Sequence, residues 1–256
     1  MKVLLINGSP NEQGCTNRAL TEVAEALHRE GVETEIFQIG NRPVWGCNGC
    51  NACVKLGRCV HDDDPANSLM ERMKEADGIV IGSPVYYSGV NGAFCAILDR
   101  VFYACGSQLT GKPAAAVVSA RRSGTTAAFQ RLNQYFAIKQ MPVVTSQYWN
   151  NVHGYTAEDV EKDAEGLQTM RTLAKNMAWM LKLIEAGKTA ELRFPEGEEL
   201  VYTDFIPDIA DNRPAKDLKS ADSYDKLFQI SDGTGLTVRI LRTAWEESTW
   251  RSFAPS

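Results

Sequence analysis

A doubly wound α/β fold around a parallel sheet is the expectation for this sequence, and three observations carry it. Short apolar runs rich in β-branched residues recur along roughly the first 150 residues, amphipathic helical patterns lie between them, and loops of small residues follow them. Parallel neighbours need a helical crossover and both sheet faces need cover, which this alternation supplies.

Residues 3–6 read as a buried strand entering the loop Asn7-Gly8-Ser9-Pro10. Thr16 or Asn17 is expected to cap the next helix, in which Leu20, Val23, Ala24 and Leu27 share a face until Gly31 stops it. Residues 32–39 alternate as a second strand. The third, residues 79–81, ends at Gly82-Ser83-Pro84, and the fourth, residues 114–118, ends at Ser119. Helical spacing predicts helices over 67–76, over 92–103 with Phe94, Ile97, Leu98 and Val101 on one face, and over 125–138. Residues 142–146 read as a fifth strand, and five strands suit the flavodoxin-like order 2-1-3-4-5. A long last helix is expected from Thr156, with Asp159 as its capping partner, to Gly187. Leu167, Met170, Ala174, Met177, Leu181 and Ile184 form a seam along it that packs on the sheet or on another subunit. From residue 194 onward charges are frequent and only 236–241 look strand-like. The expectation is one domain over 1–190 and a C-terminal extension over 191–256 packed on the core or on a partner.

The composition is that of a soluble globular chain, with 256 residues, 44% hydrophobic and 23% charged. A net charge of −5 argues against a nucleic-acid surface. No apolar run approaches the roughly 18 residues of a membrane span, and the apolar start is too short for a signal peptide, so a cytoplasmic location is expected. Seven cysteines are present, four of them between Cys47 and Cys59; in a reducing compartment such a cluster points to metal binding or redox chemistry rather than structural disulfides. Cys15, Cys95 and Cys105 are expected to be small buried residues.

In a doubly wound sheet ligands bind beyond the carboxyl ends of the strands. The first such loop, residues 8–17, offers small hydroxyl and amide groups at a helix start suited to a phosphate, with no Walker lysine and no G-x-G-x-x-G; a plain turn and cap is the alternative. After strand three, Pro84-Val85-Tyr86-Tyr87 place two aromatics beside it, and after strand four Ser119 to Thr125 bring Arg121 and Arg122 to the same edge. His153 is read as a general acid, a proton relay or a satisfied polar residue, and Tyr148 and Trp149 as a substrate wall or as core or interface. Cys47, Cys50, Cys53 and Cys59 have the compact spacing of iron–sulfur ligands; zinc and a plain thiol or redox pair stay open.

These motifs coincide with a family. Gly8-Ser9-Pro10 with Gly14 and Thr16, the cysteine run followed by Asp62-Asp63-Asp64, Ala76-Asp77-Gly78, Ser83-Pro84-Val85-Tyr86-Tyr87 and Leu98-Asp99-Arg100 make residues 1–187 resemble the NADPH-dependent FMN reductase and flavodoxin-like superfamily, especially its iron–sulfur flavoprotein branch. The resemblance implies FMN, with Ser9, Thr16 and Asn17 at its phosphate and Pro84, Val85, Tyr86 and Tyr87 bordering the isoalloxazine, joined by Ser119, Arg122 and Gly124. It implies an NAD(P)H-dependent oxidoreductase delivering electrons to a quinone, a flavin or another small acceptor. The alternative is an electron carrier with a 4Fe-4S cluster at Cys47, Cys50, Cys53 and Cys59 served by a ferredoxin-like partner. It also implies a homodimer or homotetramer, in which Tyr148, Trp149 and His153 face a neighbour's flavin. Asn11 and Cys15 stand where many relatives have arginine and asparagine, which shifts the phosphate grip toward backbone N–H groups and Thr16.

Overall fold

In the computed structural model the described residues are 1–198, with the short pairs Ile230–Ser231 and Thr237–Val238 beyond them. In chain order the elements are β1 (Lys2–Asn7), α1 (Cys15–Arg29), β2 (Glu33–Gln38), α2 (Cys53–Leu56), α3 (Ala66–Glu75), β3 (Gly78–Tyr86), β4 (Gly89–Val90), α4 (Gly92–Cys105), β5 (Ala114–Ala120), α5 (Thr125–Ala137), β6 (Asn151–His153), α6 (Ala157–Val160) and α7 (Ala164–Thr189). The last two, β7 (Ile230–Ser231) and β8 (Thr237–Val238), pair antiparallel. The chain divides into two units, Met1–Glu196 and Gly197–Ser256; the expected appendage falls almost wholly outside the described residues.

The sheet runs β2-β1-β3-β5-β6 with every pairing parallel, and β4 folds back antiparallel onto β3. Counted over the parallel strands alone, this is the order 2-1-3-4-5. The central strands read as unbroken apolar runs because both their faces are covered. On one face Leu4, Ile6, Ile79, Ile81 and Val118 pack against Met70 and Met73 of α3, Phe94 and Leu98 of α4 and Phe136 of α5. On the other, Val3, Leu5, Val80 and Val117 meet Leu20 and Val23 of α1 and the α7 seam, of which Leu167, Met170, Ala174, Met177 and Leu181 are buried. The seam therefore belongs to the core.

Three expectations are corrected. Residues 142–146 are not the fifth strand: Ala114 N donates to Pro142 O and Val144 N to Ala114 O, and Val143 makes one isolated bridge to Ala114. The Asn150 side chain then occupies the Ala116 carbonyl at 3.0 Å, and regular pairing resumes only where Asn151 meets Val118. The final helix is two helices. Thr156 and Asp159 do form a capping box, but it closes only the single turn of α6; Asp163 then caps α7 by accepting from Gly166 N at 2.9 Å. A second cap seven residues after the first starts the helix anew. Finally, α1 is capped by the extended backbone of Gly14 with no side-chain bond, so Thr16 and Asn17 lie inside the first turn. Of the outlying cysteines Cys105 is buried, whereas Cys15 and Cys95 are half-buried.

Candidate functional site

The carboxyl ends of β1, β3, β5 and β6 open onto a cleft of about 640 Å³, a size typical of small-molecule sites. Its first wall is a coil of side-chain turns. Asn7 Oδ1 accepts from Ser9 N at 3.1 Å, Ser9 Oγ from Asn11 N at 3.1 Å and Asn11 Oδ1 from Gln13 N at 3.2 Å. Short polar side chains bonding the backbone two residues on favour such loops over regular structure. Gly8 N donates to Gly82 O at 2.8 Å, and a Cβ on Gly8 would stand 2.1 Å from the buried Phe94 ring, so only glycine fits there. Asn91, the N-cap of α4, donates Nδ2 to Gly8 O at 2.8 Å and its backbone N to Ser83 Oγ at 3.2 Å.

The loop delivers the chain into α1, whose first helical bond runs from Arg18 N to Gly14 O. The N–H groups of Cys15, Thr16 and Asn17 precede that bond and have no acceptor within the helix. No acidic residue lies in this turn, so the dipole end is open to an anion. Thr16 Oγ1 stands 2.8 Å from Ser119 Oγ, joining the turn to β5.

Ser9, Thr16, Pro84, Val85, Tyr86 and Ser119 line this one cleft, as expected residues from three separate loops. The cation on its wall is Arg121; Arg122 is not among the lining residues. Asn17, Tyr87 and Gly124 are also off the wall, each for a visible reason. Asn17 is half-buried in the first turn of α1. Tyr87 and Ser88 form the two-residue turn between β3 and β4, at φ 48° and 60°, a left-handed pair usually filled by Asn-Gly. Gly124, at φ 90°, lies under that turn: a Cβ would meet Ser88 Cα and Val85 Cγ1 at 2.8 Å. It is the contact point of two loops. Strained turns of this kind gather at ligand sites.

A fourth wall runs from Gly154 to Glu158; sequence reasoning carried the fourth loop only as far as Gly154 and missed Tyr155 to Glu158, whose place depends on the register of β6. Cys15 Sγ reaches Gly154 O across the cleft floor at 3.4 Å, and burial pushes its thiol pKa up. His153 is half-exposed; its backbone N donates to Asp163 Oδ2 at 2.6 Å and its ring stays 3.7 Å from that carboxylate. Tyr148 and Trp149 meet edge to face at 4.8 Å, exposed and away from the cleft wall.

A second site lies beside α4, where Cys47, Cys50, Cys53 and Cys59 line one pocket with Arg100 and Tyr103. All four are free thiols. Gly49, Asn51 and Gly57, each with positive φ, coil the loop tightly enough to bring them together. Burial, and then the nearby Cys50, Cys47 and Cys59 sulfurs, push the Cys53 thiol up. Among the described residues no three or more Cys, His, Asp or Glu side chains are placed to hold a metal ion. Four cysteines are a donor set that both iron–sulfur clusters and zinc sites use.

Among the described residues no helix is long and apolar enough to cross a membrane. The family model for NADPH-dependent FMN reductase matches residues 1–156. An iron–sulfur flavoprotein of Methanocaldococcus jannaschii is 37% identical over 193 residues, covering 72% of this chain and 100% of the relative. One from Methanosarcina thermophila is 30% identical over 192 residues, covering 73% and 99%. A solved flavone reductase superposes with a TM-score of 0.56 at 20% identity, over 72% of this chain and 64% of the reductase, just under two thirds of its length; this is a likeness of fold. With its parallel sheet, the loop-to-helix cleft and these relatives in view, the chain belongs to the NADPH-dependent FMN reductase family.

Proposed function

We propose that this chain is an FMN-dependent oxidoreductase that takes electrons from NAD(P)H and passes them to a quinone, a flavin or another small acceptor. The convergence of the open first turn of α1, the Thr16–Ser119 contact and Arg121 on one cleft at the β1/β3 switch point carries this reading. Ser9, Thr16 and Asn17 are assigned to the phosphate, with Arg121 as its cation. Pro84, Val85, Tyr86 and Ser119 are assigned to the ring border, while Tyr87, Arg122 and Gly124, off the cleft wall, belong to the loops that carry them. Bound FMN supplies hydride acceptance and electron release. The chain's own part is to hold the anion at the helix start and to orient the ring, for which no side-chain nucleophile is needed.

The four-thiol pocket favours a second reading, an electron carrier whose cysteine loop holds a 4Fe-4S cluster that a ferredoxin-like partner reduces. The names of the two full-length relatives support it. Both readings accord with a reducing, cytoplasmic setting in which free thiols persist. A homodimer or homotetramer would cover the exposed Tyr148 and Trp149.

The test is an absorption spectrum with iron, sulfide and FMN analysis of anaerobically purified protein, followed by NAD(P)H. Direct bleaching of bound FMN supports the oxidoreductase. Stoichiometric iron and sulfide without direct bleaching supports the carrier, and protein that fails to quench added FMN fluorescence overturns both.

A further inference from the structure

We propose that Arg100 is a positioning residue that sets the reduction potential of the centre held by the cysteine loop, through a charged hydrogen bond to the Cys59 sulfur whose strength Asp64 governs. The proposal rests on the cluster reading above.

Arg100 lies on α4, outside the cysteine loop, and is 2% exposed. Its nitrogens are all committed to that loop. Nε donates to Cys59 Sγ at 3.2 Å, Nη2 to His61 O at 2.9 Å, and Nη1 to Trp45 O at 3.2 Å and to the Asp64 carboxylate. One planar group thus grips the chain on both sides of the four cysteines. Only arginine presents donors in such a fork, and a lysine would reach at most part of the set.

An uncompensated guanidinium at this depth would be costly, and Asp64, with its side chain as buried as that of Arg100, is the compensating charge. Asp64 is held in turn by Trp45 N and Ala66 N, each at 3.1 Å. Trp45, whose backbone bonds both partners, stacks flat on His61 at 4.7 Å. The result is a nearly neutral pair with one N–H aimed at a sulfur.

Hydrogen bonds to ligand sulfurs are among the factors that set cluster potentials. An added electron increases the negative charge on the sulfurs, so a donor aimed at one of them favours the reduced form. The two partners therefore act in opposite senses. Without the Arg100 charge, the loop retains the Asp64 carboxylate and reduction becomes harder. Without the Asp64 charge, the whole guanidinium acts on Cys59 and reduction becomes easier. A purely structural staple would behave differently: losing either partner would loosen the loop and lower the iron content, with no split in sign.

The experiment uses anaerobically purified full-length protein, analysed for iron and sulfide and then titrated with dithionite in the presence of redox mediators, with EPR reading the cluster and absorption reading FMN. The expected result is a cluster potential shifted negative in Arg100→Gln and positive in Asp64→Asn, with the FMN potential unmoved in both. If Arg100→Gln loads no iron, Arg100→Lys is read in its place, with a smaller negative shift expected. Equal potentials, or shifts of the same sign, overturn the proposal alone. Wild-type protein that holds FMN but no iron overturns the cluster reading and the proposal with it.

Discussion

The hydroxyls of Thr16 and Ser119 meet at 2.8 Å, and both residues are almost fully buried. This contact locks the first turn of α1 to the end of β5 and so fixes two walls of the cleft. Thr16→Val leaves the Ser119 hydroxyl buried without its partner, which costs about 1–3 kcal/mol. Urea unfolding should show that loss, and fluorescence titration should show weaker FMN binding. Ser119→Ala added to Thr16→Val should recover part of the stability but not the affinity.

Gly8→Ala should be among the most damaging single-methyl changes in the chain. The added carbon would stand 2.1 Å from a Phe94 ring that is fully buried and has nowhere to retreat. Overpacking of this sort costs about 1–3 kcal/mol. A lowered denaturation midpoint together with lost flavin retention is expected; normal retention would mean that the loop backbone does not approach the cofactor.

Arg121 and Arg122 separate a cleft residue from a neighbour off its wall. Arg121→Ala removes a charge-assisted partner for an anion and should weaken FMN binding roughly tenfold. Arg122→Ala should change it by less than about threefold, within the range of an exposed charge. Paired FMN titrations at fixed salt decide the order.

Glu22 pairs with Arg18 within α1 at 2.7 Å and with Arg171 of α7 at 2.6 Å, and the second pair links the two helices. Burial pushes its carboxyl pKa up, but the Arg171 and Arg18 bonds together outweigh burial and hold it below the usual glutamate range. A folded value below the unfolded one contributes stability above the unfolded pKa, and that contribution is lost as pH falls through the folded value. Stability should therefore decline as pH drops below roughly 4.3. Glu22→Gln should flatten that acid limb while lowering stability near neutral pH by about 1–2 kcal/mol. Chemical denaturation at a series of pH values measures both.

Cys50→Ala should separate the two readings of function. The cleft and the thiol pocket have no lining residue in common. The variant should keep FMN and lose any iron. If NAD(P)H still bleaches the flavin, the cleft works without the loop; if only partner-driven reduction disappears, electrons enter through the cysteines.

Much of this architecture was legible because β1, β3 and β5 are covered on both faces and so announce themselves as apolar runs. β6 was not. It is three residues long with only Val152 fully inward, while Val143 and Val144 imitate a strand but pair by backbone only with the first residue of β5. The break before α7 was hidden for a related reason: the Thr156 box is genuine, yet Asp163 restarts the helix, and local pattern does not reveal that this carboxylate is also engaged by His153. In the cleft, the loops after the three long strands could be read from their small residues. The wall at residues 154–158 follows from the misplaced strand. The part played by Arg100 depends on partners in a distant loop, and the Leu98-Asp99-Arg100 stretch by itself does not reveal them.

Asn91 bonds the backbone of Gly8 and the side chain of Ser83 with a single amide group and its own N–H. The loop after β1 and the strand β3 are thereby pinned to one point at the start of α4, like two leaves on a single hinge pin. A residue at 91 without the amide would leave the Gly8 carbonyl on the β1 side without this partner.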